Sequence, residues 1–336
     1  MRRARSVAME WGPPENSFIV QTPTKLIIGT RGSDLALVQA TATEAALAAV
    51  FPHLTIVRKV IQTTGDRRTD VSLADVAKSE GTFDKGVFIK EIEEALAAGE
   101  IDIAVHSLKD LPTTLENGFS LAATLERAPA RDLLITLRPG GLDALPQAAR
   151  IGTSSVRRAK QIQWLRPDLR VFDLRGNVPT RLRKLAEDGN YDAILLAEAG
   201  LVRLGFIPEL PSGEASEDVT GFSNLEVTRL PEDVFFPAAG QGAIALEVRA
   251  GDGPSHVYAE AVSHRETWLR ITAEREFLRL LDGGCHTPVG VYSSLSGGEI
   301  TLHARVFPDE GGTPKSGTAT GQDPVALAFE LFISLT

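Results

Sequence analysis

The chain has 336 residues, a formal net charge of −9 and a single cysteine. Its length holds two or three domains, each with its own core. The acidic balance argues against bulk nucleic-acid binding, one cysteine excludes a disulfide framework and any multi-cysteine metal site, and no run approaches a membrane span.

Residues 1–24 are basic, then acidic, and rich in proline and polar side chains. They lack an apolar h-region, and Glu10 and Glu15 argue against a transit peptide, so they read as a disordered tail. KLIIGT (25–30) is an apolar run ending in a turn, and residues 34–51 carry helical periodicity. Residues 55–65 read as a strand and 66–82 as a long polar loop. An amphipathic helix over 86–99 ends in glycine, a buried strand follows over 101–107, and further strands are expected over 121–127 and 131–138. RIGTSSVRRAKQIQWLRPDLRVFDLRG reads as strand, turn, helix, strand; NVPTRLRKLAEDGN as a helix; YDAILLA as a strand. Residues 207–230 are expected to form a polar loop excursion, 243–250 a strand, and 258–281 one long amphipathic helix. VYSSL, EITLHARVF and a helical run from Val325 form a small α+β unit. The alternation argues for α/β lobes with largely parallel sheets.

Two short echoes run through the chain. IGTRGS (28–33) resembles IGTSSV (151–156), and GEIDIAVHS (99–107) resembles GNYDAILLA (189–197). They are either convergent turn chemistry or the mark of two similar lobes facing each other across a cleft.

The basic residues of this acidic chain cluster in its middle third. Thr153 and Ser155 lie in a strand-to-helix turn that offers N–H groups and hydroxyls to an anion. Arg157 and Arg158 follow in the first helical turn, where a cation opposes the helix dipole unless an anion sits beside it. LRGNVPTRL is a second such turn and brings Arg175 and Arg181 to the same sheet edge, where ligands bind in open α/β sheets. Arg31 and Ser33 repeat the arrangement earlier. In HSLKDLPT, Lys109 and Asp110 leave a buried strand at its rim, and nearby positive charge keeps the Asp110 carboxylate ionised. His106 reads as a structural hydrogen-bonding residue. PAAGQGAIALE, with Gln241 between glycines, is a tight, glycine-rich passage into a strand and reads equally as a hinge or crossover between lobes. Cys285 has only His286 adjacent and no chelating spacing; a nucleophile would need a positioned base, and a buried inert thiol is the ordinary alternative.

In order along the chain, IGTRGSDLALVQA, KGVFIKEIE, DIAVHSLKDLPT, GTSSVRRAKQ, LRGNVPTRL, AEAGLVRLG, PAAGQGAIALE and TAEREFLRLLDGGCHTPVG resemble the porphobilinogen deaminase family. Strong blocks cover 25 to about 290. The resemblance implies an α/β fold of two periplasmic-binding-protein-like lobes around a cleft plus a small α+β C-terminal domain. The expected division is 25–127 with 240–262 as a discontinuous first domain, 128–239 as the second, and 263–336 as the third. It implies a transferase of tetrapyrrole biosynthesis that joins four porphobilinogen units in succession to a dipyrromethane cofactor, each losing ammonia, before water frees hydroxymethylbilane. The cofactor is implied to sit on Cys285 through a thioether, and Asp110 is implied to be the principal catalytic residue. Each ring bears an acetate and a propionate, so Arg31, Arg157, Arg158, Arg175, Arg181 and Arg203 are implied to bind carboxylates. Ser33, Lys85, Lys109, Thr153 and Ser155 hold positions that also contact cofactor or substrate. A cytoplasmic monomer without metal, nucleic-acid or membrane partners is expected, with the N-terminal extension leaving an organelle open. Residues 207–230, a short C-terminal helix and the tail depart from the family pattern.

Overall fold

A computed structural model of the chain describes residues 24–67, 88–209, 217–281, 288–308 and 312–336. The first lobe runs β1 (Lys25–Arg31), α1 (Asp34–Val50), β2 (Thr55–Ile61), α2 (Thr64–Arg67), α3 (Lys90–Ala97), β3 (Ile103–Ser107) and β4 (Phe119–Thr124). The chain crosses into a second lobe as β5 (Asp132–Thr136), β6 (Arg150–Gly152), α4 (Val156–Leu165), β7 (Arg170–Phe172), α5 (Val178–Glu187), β8 (Ala193–Ala197), α6 (Glu198–Arg203), β9 (Glu217–Val219) and β10 (Phe222–Arg229). It returns through β11 (Ile244–Arg249) and α7 (Gly253–Ala261). A third unit comprises α8 (Arg265–Leu280), β12 (Val289–Ser296), β13 (Glu299–Val306), β14 (Lys315–Gly321) and α9 (Pro324–Leu335).

The first sheet has the order β2-β1-β3-β11-β4 and the second β7-β6-β8-β5-β10-β9. In each, three strands are parallel and the fourth is antiparallel: β11 beside β3 in the first, β5 beside β8 in the second. That fourth strand is the one that has just crossed from the other lobe, so each lobe borrows its central antiparallel strand from the crossing chain. The sheets are therefore mixed rather than largely parallel.

The sequence echoes are structural. Asp102 Oδ2 accepts the Ile27 N–H at 2.8 Å, and the Asp102 N–H donates back to the Ile27 carbonyl at 2.8 Å. In the second lobe Asp192 Oδ2 accepts the Arg150 N–H at 2.7 Å, and its N–H donates to the Arg150 carbonyl at 2.8 Å. Each aspartate thus locks the register of its strand against the strand of the first echo (Ile28↔Ile103, Ile151↔Ala193). The glycines of the echoes are required by the same packing. A Cβ on Gly29 would stand 2.3 Å from Ile101 Cδ1, and one on Gly152 2.8 Å from Tyr191 Cδ1, the residue before each aspartate. The helices that follow are capped alike: Ser33 Oγ accepts from Ala36 N and Ser155 Oγ from Arg158 N, both at 3.4 Å. Two similar lobes account for all of these matches; convergent turn chemistry accounts only for the caps.

The third unit is an antiparallel sheet, β12-β13-β14, covered by α8 and α9. Phe277, Val291, Ile300, Leu302 and Leu331 are buried between them. It is fastened to both crossings by one carboxylate. Glu274, fully buried on α8, accepts from Arg127 Nη1 at 2.6 Å and Nη2 at 3.0 Å on the outgoing crossing. It also accepts from the Gly240 N–H at 2.8 Å on the return and from Ser293 Oγ at 2.7 Å in β12.

Two further expectations are corrected. Within 207–230, β9 and β10 form an antiparallel pair on the edge of the second sheet. Their alternation of polar and apolar residues is that of a strand with one face in solvent. The helix expected over 258–281 is two helices. His264 breaks it: its N–H donates to the Thr124 carbonyl at 2.8 Å, and its ring Nδ1 caps α8 by accepting from Thr267 N at 3.3 Å. Among the described residues no helix is long and apolar enough to cross a membrane. Removing one partner of a buried ion pair strands the other charge. Glu274→Ala is therefore expected to lose about 3–5 kcal/mol of stability, read from urea unfolding.

Candidate active site

In both sheets the parallel strands deliver their carboxyl ends to one rim. β1 and β3 are neighbours and parallel, so the turn carrying Arg31 and Ser33 and the short 3-10 turn Leu108–Asp110 leave the first sheet on the same side. β6, β7 and β8 do the same in the second lobe. They place Thr153 and Ser155, then Arg175 and Arg181, then Arg203 at its rim. Ligands of open α/β sheets bind at such rims.

Electrostatics joins the two rims. Burial, and next Arg158, pull the half-buried Lys109 ammonium down to about 7, against Asp110 and Asp132, which favour the charged form. Burial pushes Arg181 down to about 10, with Arg158 and Arg175 acting the same way and Asp173 and Asp110 opposing. Lys109 and Asp110 of the first lobe therefore share one field with Arg158, Arg175 and Arg181 of the second.

The arginines differ in what already occupies them. Arg157 and Arg158 are buried, and the anion beside their helix start is a residue of the chain itself, Asp132. Asp132 Oδ2 accepts from Arg157 Nη1 at 2.6 Å, and Oδ1 from Arg158 Nε at 3.0 Å and Nη2 at 2.6 Å. The pair holds the fully buried carboxylate far below its ordinary range, although burial alone pushes it up. Two guanidiniums against one carboxylate leave one positive charge. Arg31 is paired with Asp66 (Nε to Oδ2, 3.2 Å) and lies 4.2 Å over the Phe88 ring. Arg203, which burial takes down to about 10 against Glu209, donates to the Gly242 carbonyl at 2.7 Å and so reaches the return crossing.

Arg181 donates from Nε to the Gly176 carbonyl at 2.7 Å. Arg175 Nη1 is buried and has no hydrogen-bond partner among the described residues. Thr153 Oγ1 accepts from Ser155 N at 3.1 Å, shaping the turn. Lys85 and Cys285 lie outside the described residues. His106 is structural in setting: buried, its Nε2 stands 3.0 Å from Glu247 Oε2. Sequence reasoning misses Asp132 and singles out Gln241 only for its glycine-flanked backbone. The only sequence signal for Asp132 is a charge placed at the mouth of the wholly apolar strand LLI.

Two family models divide the chain. "Porphobilinogen deaminase, dipyromethane cofactor binding domain" matches residues 26–256, and "Porphobilinogen deaminase, C-terminal domain" matches 268–336. The chain belongs to the porphobilinogen deaminase family. Similar relatives bear that name. The Roseiflexus castenholzii protein is 45% identical over 91% of this chain and 94% of that relative. The Syntrophobacter fumaroxidans protein is 42% identical over 88% and 91%. Among solved structures, the Bordetella pertussis BvgS VFT2 domain aligns over 71% of this chain and 86% of that chain at 13% identity and TM-score 0.42. The two-lobe architecture stands on the sheet orders and not on that alignment. The donor set fits the family's dipyrromethane, a polycarboxylate. Arg175 keeps a buried, unsatisfied N–H donor, and the surplus cation at Asp132 and the Arg181 guanidinium share its rim.

The Lys109 depression has a consequence for stability. Between about 7 and the ordinary lysine value, the unfolded chain binds a proton that the folded chain does not, so stability rises with pH across that window. In a Cys285→Ser background, adding Lys109→Met is expected to abolish that rise, as measured by urea unfolding at stepped pH.

Proposed function

We propose that the chain is a porphobilinogen deaminase. Four porphobilinogen units are joined head to tail to a dipyrromethane held on Cys285, each joining releases ammonia, and water then frees hydroxymethylbilane. This makes the chain a transferase of tetrapyrrole biosynthesis. The observation that carries the reading is the match of the two porphobilinogen deaminase family models to residues 26–256 and 268–336, the first of which spans Asp110 and the arginines of the rim.

When bound, the dipyrromethane would supply the electron-rich pyrrole carbon that takes the first unit, and each later unit would add to the ring joined before it, the acceptor carbon giving up its proton as the C–C bond forms. The chain's own residues do the rest. Arg31, Arg175, Arg181 and Arg203, with the surplus charge of Arg157 and Arg158, hold acetate and propionate groups. Ser33, Lys85, Thr153 and Ser155 add polar contacts. When the aminomethyl C–N bond of porphobilinogen breaks, its electron pair leaves with nitrogen and positive charge spreads over the pyrrole. A fixed carboxylate beside that carbon stabilises the charge as it develops, which is the role of Asp110. Lys109 stands next to it, its ammonium pulled down to about 7 by burial and next by Arg158.

The corresponding domains are 25–127 with 240–262, 128–239, and 263–336, in a cytoplasmic monomer. Both crossings lie at the boundary of the first two, so the lobes share a hinge.

Intact-mass measurement of the purified active chain is expected to exceed the sequence mass by one dipyrromethane, and Cys285→Ser to lose both the adduct and turnover. An unmodified mass with no tetrapyrrole formed sinks the proposal. Asp110→Asn is expected to keep the adduct and lose turnover on the order of a hundredfold or more; a near-normal rate removes Asp110 from the chemistry.

A further inference from the structure

The resemblance gives no role to Asp132 or Gln241, yet these two residues connect the residues to which it does. Asp132 is the first residue of β5, where the chain enters the second lobe. Gln241 lies on the return crossing, 1% exposed. Its Nε2 donates to the Ala130 carbonyl at 2.6 Å and to Asp132 Oδ1 at 3.0 Å, while its Oε1 accepts from Lys109 Nζ at 3.3 Å. Its own carbonyl accepts from Arg127 Nε at 2.8 Å. The amide has a single workable orientation, with NH2 toward a carbonyl and a carboxylate and oxygen toward an ammonium. Flanking geometry fixes the backbone. Gly242 has φ +87°, and a Cβ there would stand 2.3 Å from the Ala128 carbonyl oxygen, so the two crossings are pressed against each other.

A continuous polar path results: Lys109, Gln241, Asp132, then Arg157 and Arg158. It starts on the residue beside Asp110, passes between the crossings and ends on the guanidiniums of the opposite rim. Its bonds from Gln241 to Asp132 and from Asp132 to both arginines are buried, and that from Lys109 to Gln241 is part-buried, so loss of a buried member leaves its neighbours short of a partner.

We propose that Asp132 and Gln241 are positioning residues of the deaminase site: Asp132 fixes the guanidiniums of Arg157 and Arg158, and Gln241 fixes the Lys109 ammonium beside Asp110 across the hinge. The inference rests on the activity proposed above.

Among the described residues, the charged groups acting on Lys109 include Asp110 on its own turn, Asp132 on β5, and Arg157 and Arg158 on α4. The two carboxylates and the Gln241 oxygen favour the ammonium; the arginines and burial favour the amine. Gln241→Met keeps side-chain length and approximate volume but removes both the oxygen that accepts from Lys109 and the NH2 that donates to Ala130 and Asp132. Asp132→Asn keeps shape but removes the anion. Each change favours the amine, so each moves the Lys109 titration to lower pH. Glu274→Gln serves as the control, because it weakens the same crossings while Glu274 makes no hydrogen bond to a side chain of the path.

The test is the pH dependence of kcat/KM for porphobilinogen, on holoenzyme whose dipyrromethane is verified by intact mass. The alkaline limb is expected to move down by about half a pH unit or more in Gln241→Met and in Asp132→Asn. In Glu274→Gln the thermal midpoint falls and the limb stays. A limb that stays in Gln241→Met overturns the proposal, whatever happens to the rate. Gln241→Met decides the matter alone if Asp132→Asn does not fold. A wild-type chain without adduct or turnover overturns the activity and this inference together, and is distinguished by the mass alone.

Discussion

One desolvated carboxylate organises the molecule. Asp132 enters the second lobe with no exposed surface and binds two guanidiniums and an amide. An isolated carboxylate so deeply placed would take up a proton; the two arginines keep it ionised. In return it cancels half of a charge pair that could not otherwise be buried. Because it stands where the chain changes lobes, the same bonds set the local geometry of the crossing and aim the arginines of the rim. A hydrophobic replacement of the whole cluster could be as stable, but it would leave no cation at the rim.

Glu274 plays the corresponding part for the third unit. It gathers both crossings and β12 onto α8, the helix that precedes the segment carrying Cys285. Helix α8 and the Asp110 turn are therefore referred to the same few residues at the hinge. Arg275, one residue on, donates to the Pro112 carbonyl at 2.7 Å just after that turn. A buried salt bridge is weak evidence for stability in general; here its value is in fixing where three units meet.

Much of this was legible in the sequence. Apolar runs bounded by glycine turns marked β1, β3, β6 and β8, and the two echoes marked the duplicated lobe. What escaped has physical reasons. β10 sits near the edge of its sheet with one face wet, so its polar residues imitate a loop. The break before α8 depends on a histidine acting as a cap, a residue type that seldom signals one. Arg157 and Arg158 read as waiting for an external anion because Asp132 lies 25 and 26 positions upstream, and only the fold brings it under the helix. Gln241 read as part of a hinge, which its backbone is. That its side chain also bridges lobes depends on a lysine 132 positions away.

The borrowed strands impose an order on the making of the protein. Every strand of the second sheet lies within 132–229, an uninterrupted stretch, whereas the first sheet needs β11 inserted between β3 and β4. As the chain leaves the ribosome, the inserted lobe can close while the lobe that began first still has a gap at its centre, with two strand edges open to chance pairing. The first sheet is sealed only when residues 244–249 arrive, and their apolar run is the plug. The N-terminal lobe is thus the earlier to be synthesised and the later to be finished.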